Sequence, residues 1–493
     1  MKKIIAFAIA GWCLLSACSK VAPKADKEVD SYPDIFPDYT EVTVPTHIAP
    51  LNFGLVDKTI TDAWALLSAE GESYGVKMKK GTFHIPSSDW RNLLEKAVGK
   101  SIQVAVTVQK GKEVVGYKPF EIYVSADPMD GYIAYRRIAP GYELWKNLGI
   151  YQRDLSSYKE MAVLENRQTG DNCMNCHSFC NRQPDHFLFH MRQKFGGTYL
   201  VNGKQVEKLD TKTDQTISNF VYPSWHPGGR YVAFSVNNTK QFFHPVDKNR
   251  VEVYDDASDV IVYDTEKHEA LTTNAIFSKQ RFETFPTFSA DGKTLYYCSA
   301  EAKTMPESFK EVKYSLCAIS FDPESRTFGN VVDTLFSATK ENKSVSFPRV
   351  SPDGKFLMFT VSSYGNFSIW HKDADLYVYD MQKEIYHGLD NANSDDVESY
   401  HSWSSNGRWF VFSSRRIDGL YTSPYFAHIA EDGTVSKPFL LPQAESSFYE
   451  DFMQSYNIPE FVSGKIEISP RSLVNAAEGP SVGVKMARGI EGH

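Results

Sequence analysis

One pattern recurs four times in the second half of the chain, and it constrains the fold more than any other feature. The copies open with Tyr222-Pro223-Ser224-Trp225, Phe285-Pro286-Thr287-Phe288, Phe347-Pro348-Arg349-Val350 and Tyr400-His401-Ser402-Trp403. Their starts, 222, 285, 347 and 400, lie 63, 62 and 53 residues apart. Each copy continues to a glycine (Gly229, Gly292, Gly354, Gly407) and then an apolar run such as Tyr231-Val232-Ala233-Phe234. The glycines suit a tight turn that needs positive φ. The third copy carries Val350 at the second aromatic place, and the fourth carries His401 in place of proline. Strand-like runs follow at 259–264, 315–320, 375–380 and 425–429. Strands recurring at a fixed long period read as an array of like units, each burying its faces against its neighbours.

The repeats resemble those of TolB-type β-propellers (WD40-like PD40 repeats) over roughly residues 220–440. The resemblance implies one four-stranded blade per repeat. Two weaker units precede them, at 131–166 and 186–209, each with three strand-like runs. This gives six blades, with the segment after 444 completing the ring; seven is the alternative. Residues 39–127 alternate in a β manner around one helical stretch, opened by Ser88-Asp89-Trp90 with Leu93, Leu94 and Ala97 on one face. A hairpin with Gly111 near its turn follows. The expected organisation is all-β: a signal segment 1–17, a tether 18–38, a small β-sandwich-like domain 39–127, a propeller 128–463 and a C-terminal tail 464–493.

The first residues set the expected location. Lys2 and Lys3 precede an apolar run, 4–15, too short to span a membrane and suited to a signal peptide. Leu15-Ser16-Ala17-Cys18 resembles a bacterial lipobox, which implies lipidation of Cys18 and loss of Cys13 with the signal. The chain is then expected in the bacterial cell envelope, anchored by lipid rather than by a span. The net charge of −8 gives no overall basic field for nucleic acid.

Three of the seven cysteines, Cys173, Cys176 and Cys180, fall within eight residues. Cys173-Met174-Asn175-Cys176-His177 matches C-x-x-C-H, the signature of c-type heme attachment. From 7 Cys and 13 His in 493 residues, chance yields roughly 0.003 such matches. In the heme reading the two thiols hold one covalent heme c, and His177 is the proximal ligand. A tetrahedral metal site is awkward because Cys176 and His177 are adjacent. An iron–sulfur cluster needs a fourth thiolate, and a disulfide or redox pair remains the plain alternative. The attachment segment, 168–184, is expected in a loop between blades.

For the sixth iron position, His401 and His190 rank first, ahead of His226 and Met453; an open site is the other possibility. Cys298 and Cys317, on neighbouring strands, either bridge or stay as buried thiols. The acidic groups Asp255, Asp256 and Asp259, and Asp395, Asp396 and Glu398, read as solvated surface, as do Arg415 and Arg416. No phosphate loop or nucleophilic triad is present. The sequence thus points to an exported, lipid-anchored heme protein for electron transfer or heme binding, with redox or other envelope proteins as partners. A heme oxidase- or peroxidase-like enzyme, and a protein-binding scaffold without enzymatic activity, are the alternatives.

Overall fold

A computed structural model describes residues 22–139 and 147–487. The signal segment and Cys18 lie outside the described residues. Six sheets, each built on four antiparallel strands, form the propeller, and two of them carry a short fifth strand paired in parallel. Blades three to six follow the four repeats, with inner strands Phe220–Trp225, Arg281–Phe288, Ser344–Val350 and Glu398–Trp403. Blade two has Met174–Phe179 as its inner strand, followed by His186–Met191, Gly197–Asn202 and Gln205–Asp210. Blade one takes Tyr132–Ile138, Leu148–Asp154 and Glu160–Glu165 from the start of the propeller and its inner strand, Ser455–Val462, from the end. The inner strands neighbour one another in a closed cycle. The chain thereby closes its ring, and the inner strands keep only short edges protected by their neighbours at the axis.

Each inner strand carries a bulge whose first residue is left-handed. These residues are Cys176 (φ 54°), Tyr222 (51°), Phe285 (49°), Phe347 (53°), Tyr400 (52°) and Ile458 (50°). Bulky residues rarely adopt positive φ, and each instance costs on the order of 1–3 kcal/mol. The bulges turn the side chains to the axis, where the aromatic ones meet in tilted and edge-on contacts. Ring centroids are 4.6 Å apart for Tyr222 and Phe285, 5.8 Å for Phe285 and Phe347, and 5.1 Å for Phe347 and Tyr400. Such contacts offset the strain by about 0.5–1.5 kcal/mol per pair beyond burial. Indoles further along the inner strands tie blades together: Trp225 donates to the Ser178 carbonyl and Trp403 to that of Arg349.

On the face where the inner strands begin, the long hairpin Tyr231–Phe243 and Val251–Asp264 of blade three reaches over to blade five. Tyr364 donates to Glu252 (2.9 Å), Asn366 donates to Asp255 (2.8 Å), and His371 lies 3.2 Å from Glu252. Asp255 and Asp259 are therefore buried rather than solvated. Glu398 is likewise buried and paired with Arg416, while Arg415 stacks on Trp370 at 4.1 Å.

The N-terminal domain is a seven-stranded sheet with the helix Ser87–Lys96 against it. Strand Lys27–Val29, within the segment expected as a tether, joins its edge in parallel with Glu113–Tyr117. The domain shares one apolar core with blade six: Trp409, Phe426 and Phe439 cluster with Leu67, Trp90 and Phe120. The C-terminal segment adds helix Pro470–Glu478 and short strands on the outer edges of blades two and three. Removal of 455–493 is expected to abolish a single cooperative thermal transition, read by circular dichroism, because it takes the inner strand out of blade one. A sharp transition in the shortened chain would contradict ring closure by Ser455–Val462.

Candidate functional site

The C-x-x-C-H residues occupy the junction of blades one and two. Cys173 lies at the end of the connection from blade one, and Cys176 and His177 sit in the bulge of an inner strand rather than in the expected loop. Cys176 holds the place of the repeat aromatic, and His177 that of the repeat proline. The strand was hidden because the following turn, Cys180-Asn181-Arg182, takes its left-handed residues from Asn181 (φ 47°) and Arg182 (62°) instead of glycine.

All three side chains are buried. Cys173 packs with Leu148, Ile150 and Val163 in the core shared by blades one and two. Burial pushes the Cys176 thiol up, while a hydrogen bond from the Tyr222 backbone N–H works against that rise. Both cysteines are free thiols. His177 is fully enclosed, with Nδ1 2.6 Å from Glu460 Oε2 on the inner strand of blade one. Its Nε2 is buried and has no partner. An Nδ1–H donated to a carboxylate fixes the tautomer and leaves the Nε2 lone pair available, as in many metal-binding histidines. The His177 imidazole is therefore held as a donor of the kind a heme iron takes. The cavities do not coincide with it: one of about 1100 Å³ lies between blades two and three and the helix Pro470–Glu478, and one of about 180 Å³ lies on the axis, neither lined by this triad. Seating a porphyrin on His177 requires the packing around Met174–Phe179 to open.

The distal candidates are held elsewhere. His401, at the same bulge position as His177, lies in the seam between blades five and six, with Nε2 3.1 Å from the Met358 carbonyl and Nδ1 unpartnered. His190 pairs across strands with Asn175, and its Nδ1 is 3.4 Å from Thr198 Oγ1. Burial pushes both imidazoles down to about 3. His226 has both ring nitrogens engaged, by the Gly292 carbonyl and the Gly228 N–H, and Met453 is exposed. Among the described residues, no group of three or more His, Cys, Asp or Glu side chains is arranged to hold an ion.

The other cysteines are also resolved. Burial lifts the Cys180 thiol to about 11, so it is protonated at neutral pH. Cys298 pairs with Leu316 and Cys317 with Tyr297, so the two sulfurs face different cores and remain unbridged.

Glu460 was not singled out from the sequence. Neither was a polar ring two residues beyond the bulges: Ser178, Ser224, Thr287, Arg349, Ser402 and Glu460, one from each inner strand. Four of these stand in the same column of the aligned repeats. Only the register of blades one and two brings in Ser178 and Glu460.

No protein-family model matches the chain, and no curated protein matches it. Solved structures show distant likeness. The tricorn protease aligns at 11% identity and TM-score 0.30, covering 80% of this chain and 43% of its own. Prolyl oligopeptidase B from Galerina marginata aligns at 9% and 0.33, covering 72% and 50%. A DUF4784 family protein from Bacteroides caccae aligns at 8% and 0.25, covering 74% and 96%. The chain thus spans less than half the length of the tricorn protease.

The depressed histidines imply a pH effect. Unfolded His401 binds a proton near pH 6.5, whereas the folded side chain stays neutral down to about 3. Its contribution to stability is therefore present above 6.5 and lost as pH falls toward 3. In His401→Gln, whose amide can still donate to the Met358 carbonyl, stability measured by denaturant unfolding is expected to decline less between pH 6.5 and 4. The difference should be on the order of 1 kcal/mol per pH unit.

Proposed function

We propose that this chain is a lipid-anchored c-type heme protein of the bacterial cell envelope, built on a TolB-type propeller and working in electron transfer. The observation that carries this reading is the enclosed His177 imidazole. Its Nδ1 is anchored on Glu460 (2.6 Å) and its Nε2 has no partner, beside two free thiols in C-x-x-C-H spacing.

In this reading Cys173 and Cys176 would hold the heme covalently, and His177 Nε2 would ligate its iron. The bound group supplies a one-electron couple. Glu460 keeps the proton on Nδ1 and makes the imidazole a stronger donor. The surrounding blades exclude water from the imidazole. Cys18 carries the lipid that tethers the protein near redox partners in the envelope.

Expression in a host with c-type maturation tests the proposal. Heme should stay with the polypeptide on a denaturing gel and vanish in Cys173→Ser/Cys176→Ser. A wild-type chain without covalent heme overturns the reading. Glu460→Gln should retain the covalent heme and shift its reduction potential to more positive values, since the imidazole becomes a weaker donor.

A further inference from the structure

The polar ring encloses the axial cavity of about 180 Å³, on the face where the inner strands end. All six inner strands reach it through Ser178, Ser224, Thr287, Arg349, Ser402 and Glu460. Trp225, Phe288 and Trp403 also line it. Five of the six side chains are a hydroxyl or a carboxylate, and the sixth is a guanidinium.

Arg349 lies over the Phe347 ring, with Cζ 3.9 Å from the centroid. One of its amino groups donates to the Pro348 carbonyl at 2.8 Å. Its remaining N–H groups have no protein partner within hydrogen-bonding distance among the described residues, and no salt bridge holds it. Burial lowers its pKa to about 10, against the pull of the Glu460 carboxylate, so the group is charged at neutral pH. Glu460 is positioned by His177 through Oε2 alone, which leaves Oε1 to the cavity. Ser224 donates to Thr287 at 3.2 Å and Ser402 to the Pro459 carbonyl at 2.9 Å. The lone pairs of the two serine hydroxyls remain available as acceptors. The cavity also takes in Arg182, whose Nε donates to the Trp403 carbonyl at 2.7 Å, so it presents two guanidinium groups and the Glu460 carboxylate, with no salt bridge between Arg349 and Glu460.

We infer that the axial cavity is a binding site for a small zwitterion, an amino acid or short peptide with free termini. Its carboxylate is taken by the Arg349 fork and its ammonium by Glu460. A guanidinium matches a carboxylate with two parallel hydrogen bonds, and the serine oxygens and Glu460 Oε1 accept from an ammonium. A simple anion would face Glu460, and a simple cation would face Arg349. A molecule bearing both charges satisfies each. The cavity volume suits a ligand no larger than a dipeptide. This inference does not depend on a heme.

Isothermal titration calorimetry of the full chain with three probes tests it. Glycylglycine carries both charges, N-acetylglycine only the carboxylate and glycinamide only the ammonium. Saturable binding of glycylglycine is expected, with both controls weaker by about 10-fold or more. Arg349→Gln should weaken glycylglycine by a similar factor in protein whose melting is unchanged. No saturable heat from glycylglycine at millimolar concentration overturns the proposal. So does equal binding of either singly charged probe, or unchanged binding in folded Arg349→Gln. The comparison among probes on the unmodified chain decides the matter if that variant does not fold.

Discussion

Six left-handed residues at one depth of six inner strands set the geometry on which the rest of this protein depends. A continuous strand would send alternate side chains to opposite faces. The bulge breaks that alternation in every blade at the same level and sends one side chain to the axis. The following residue goes to the seam with a neighbouring blade, as His177 and His401 show, and the next lines the axial cavity. Three functions of the axis, plug, seam and cavity, thus come from three consecutive positions. The strain at each bulge is tolerated because neighbouring blades over-determine it.

Much of this order was legible in the sequence. The aromatic places of the repeats are the bulge residues Tyr222, Phe285, Phe347 and Tyr400, and the turn glycines Gly229, Gly292, Gly354 and Gly407 all have φ between 67° and 75°. Six blades followed from counting strand-like runs. Blades one and two resisted the same reading for physical reasons. In blade two Cys176-His177 replaces aromatic-proline and Asn181 replaces the turn glycine, so neither marker survives. In blade one the marker residues Ile458-Pro459 belong to a strand more than 310 residues after its neighbour Tyr132–Ile138. Local pattern cannot reveal a partner that distant.

The candidate site was legible in its ligands and illegible in its support. C-x-x-C-H named Cys173, Cys176 and His177, but the carboxylate that orients the imidazole comes from blade one, 283 residues away. The acidic groups misled in the opposite direction. Asp255, Asp259 and Glu398 read as surface charge because composition carries no information on partners. Amides and Arg416 enclose Asp255 and Glu398, so the cost of burying these carboxylates is offset by specific hydrogen bonds.

The split first blade has a consequence for how the chain assembles. Ser455–Val462 is made after every other inner strand, yet it is the inner strand of the blade made first. Blade one must therefore wait, with an open edge, while the five blades after it are synthesised. The N-terminal domain, whose core is shared with blade six, waits with it. Order of synthesis and order of completion run in opposite directions. A chain stalled anywhere short of its final forty residues presents an unpaired strand at what should be its centre, which gives quality control a direct mark of incompleteness.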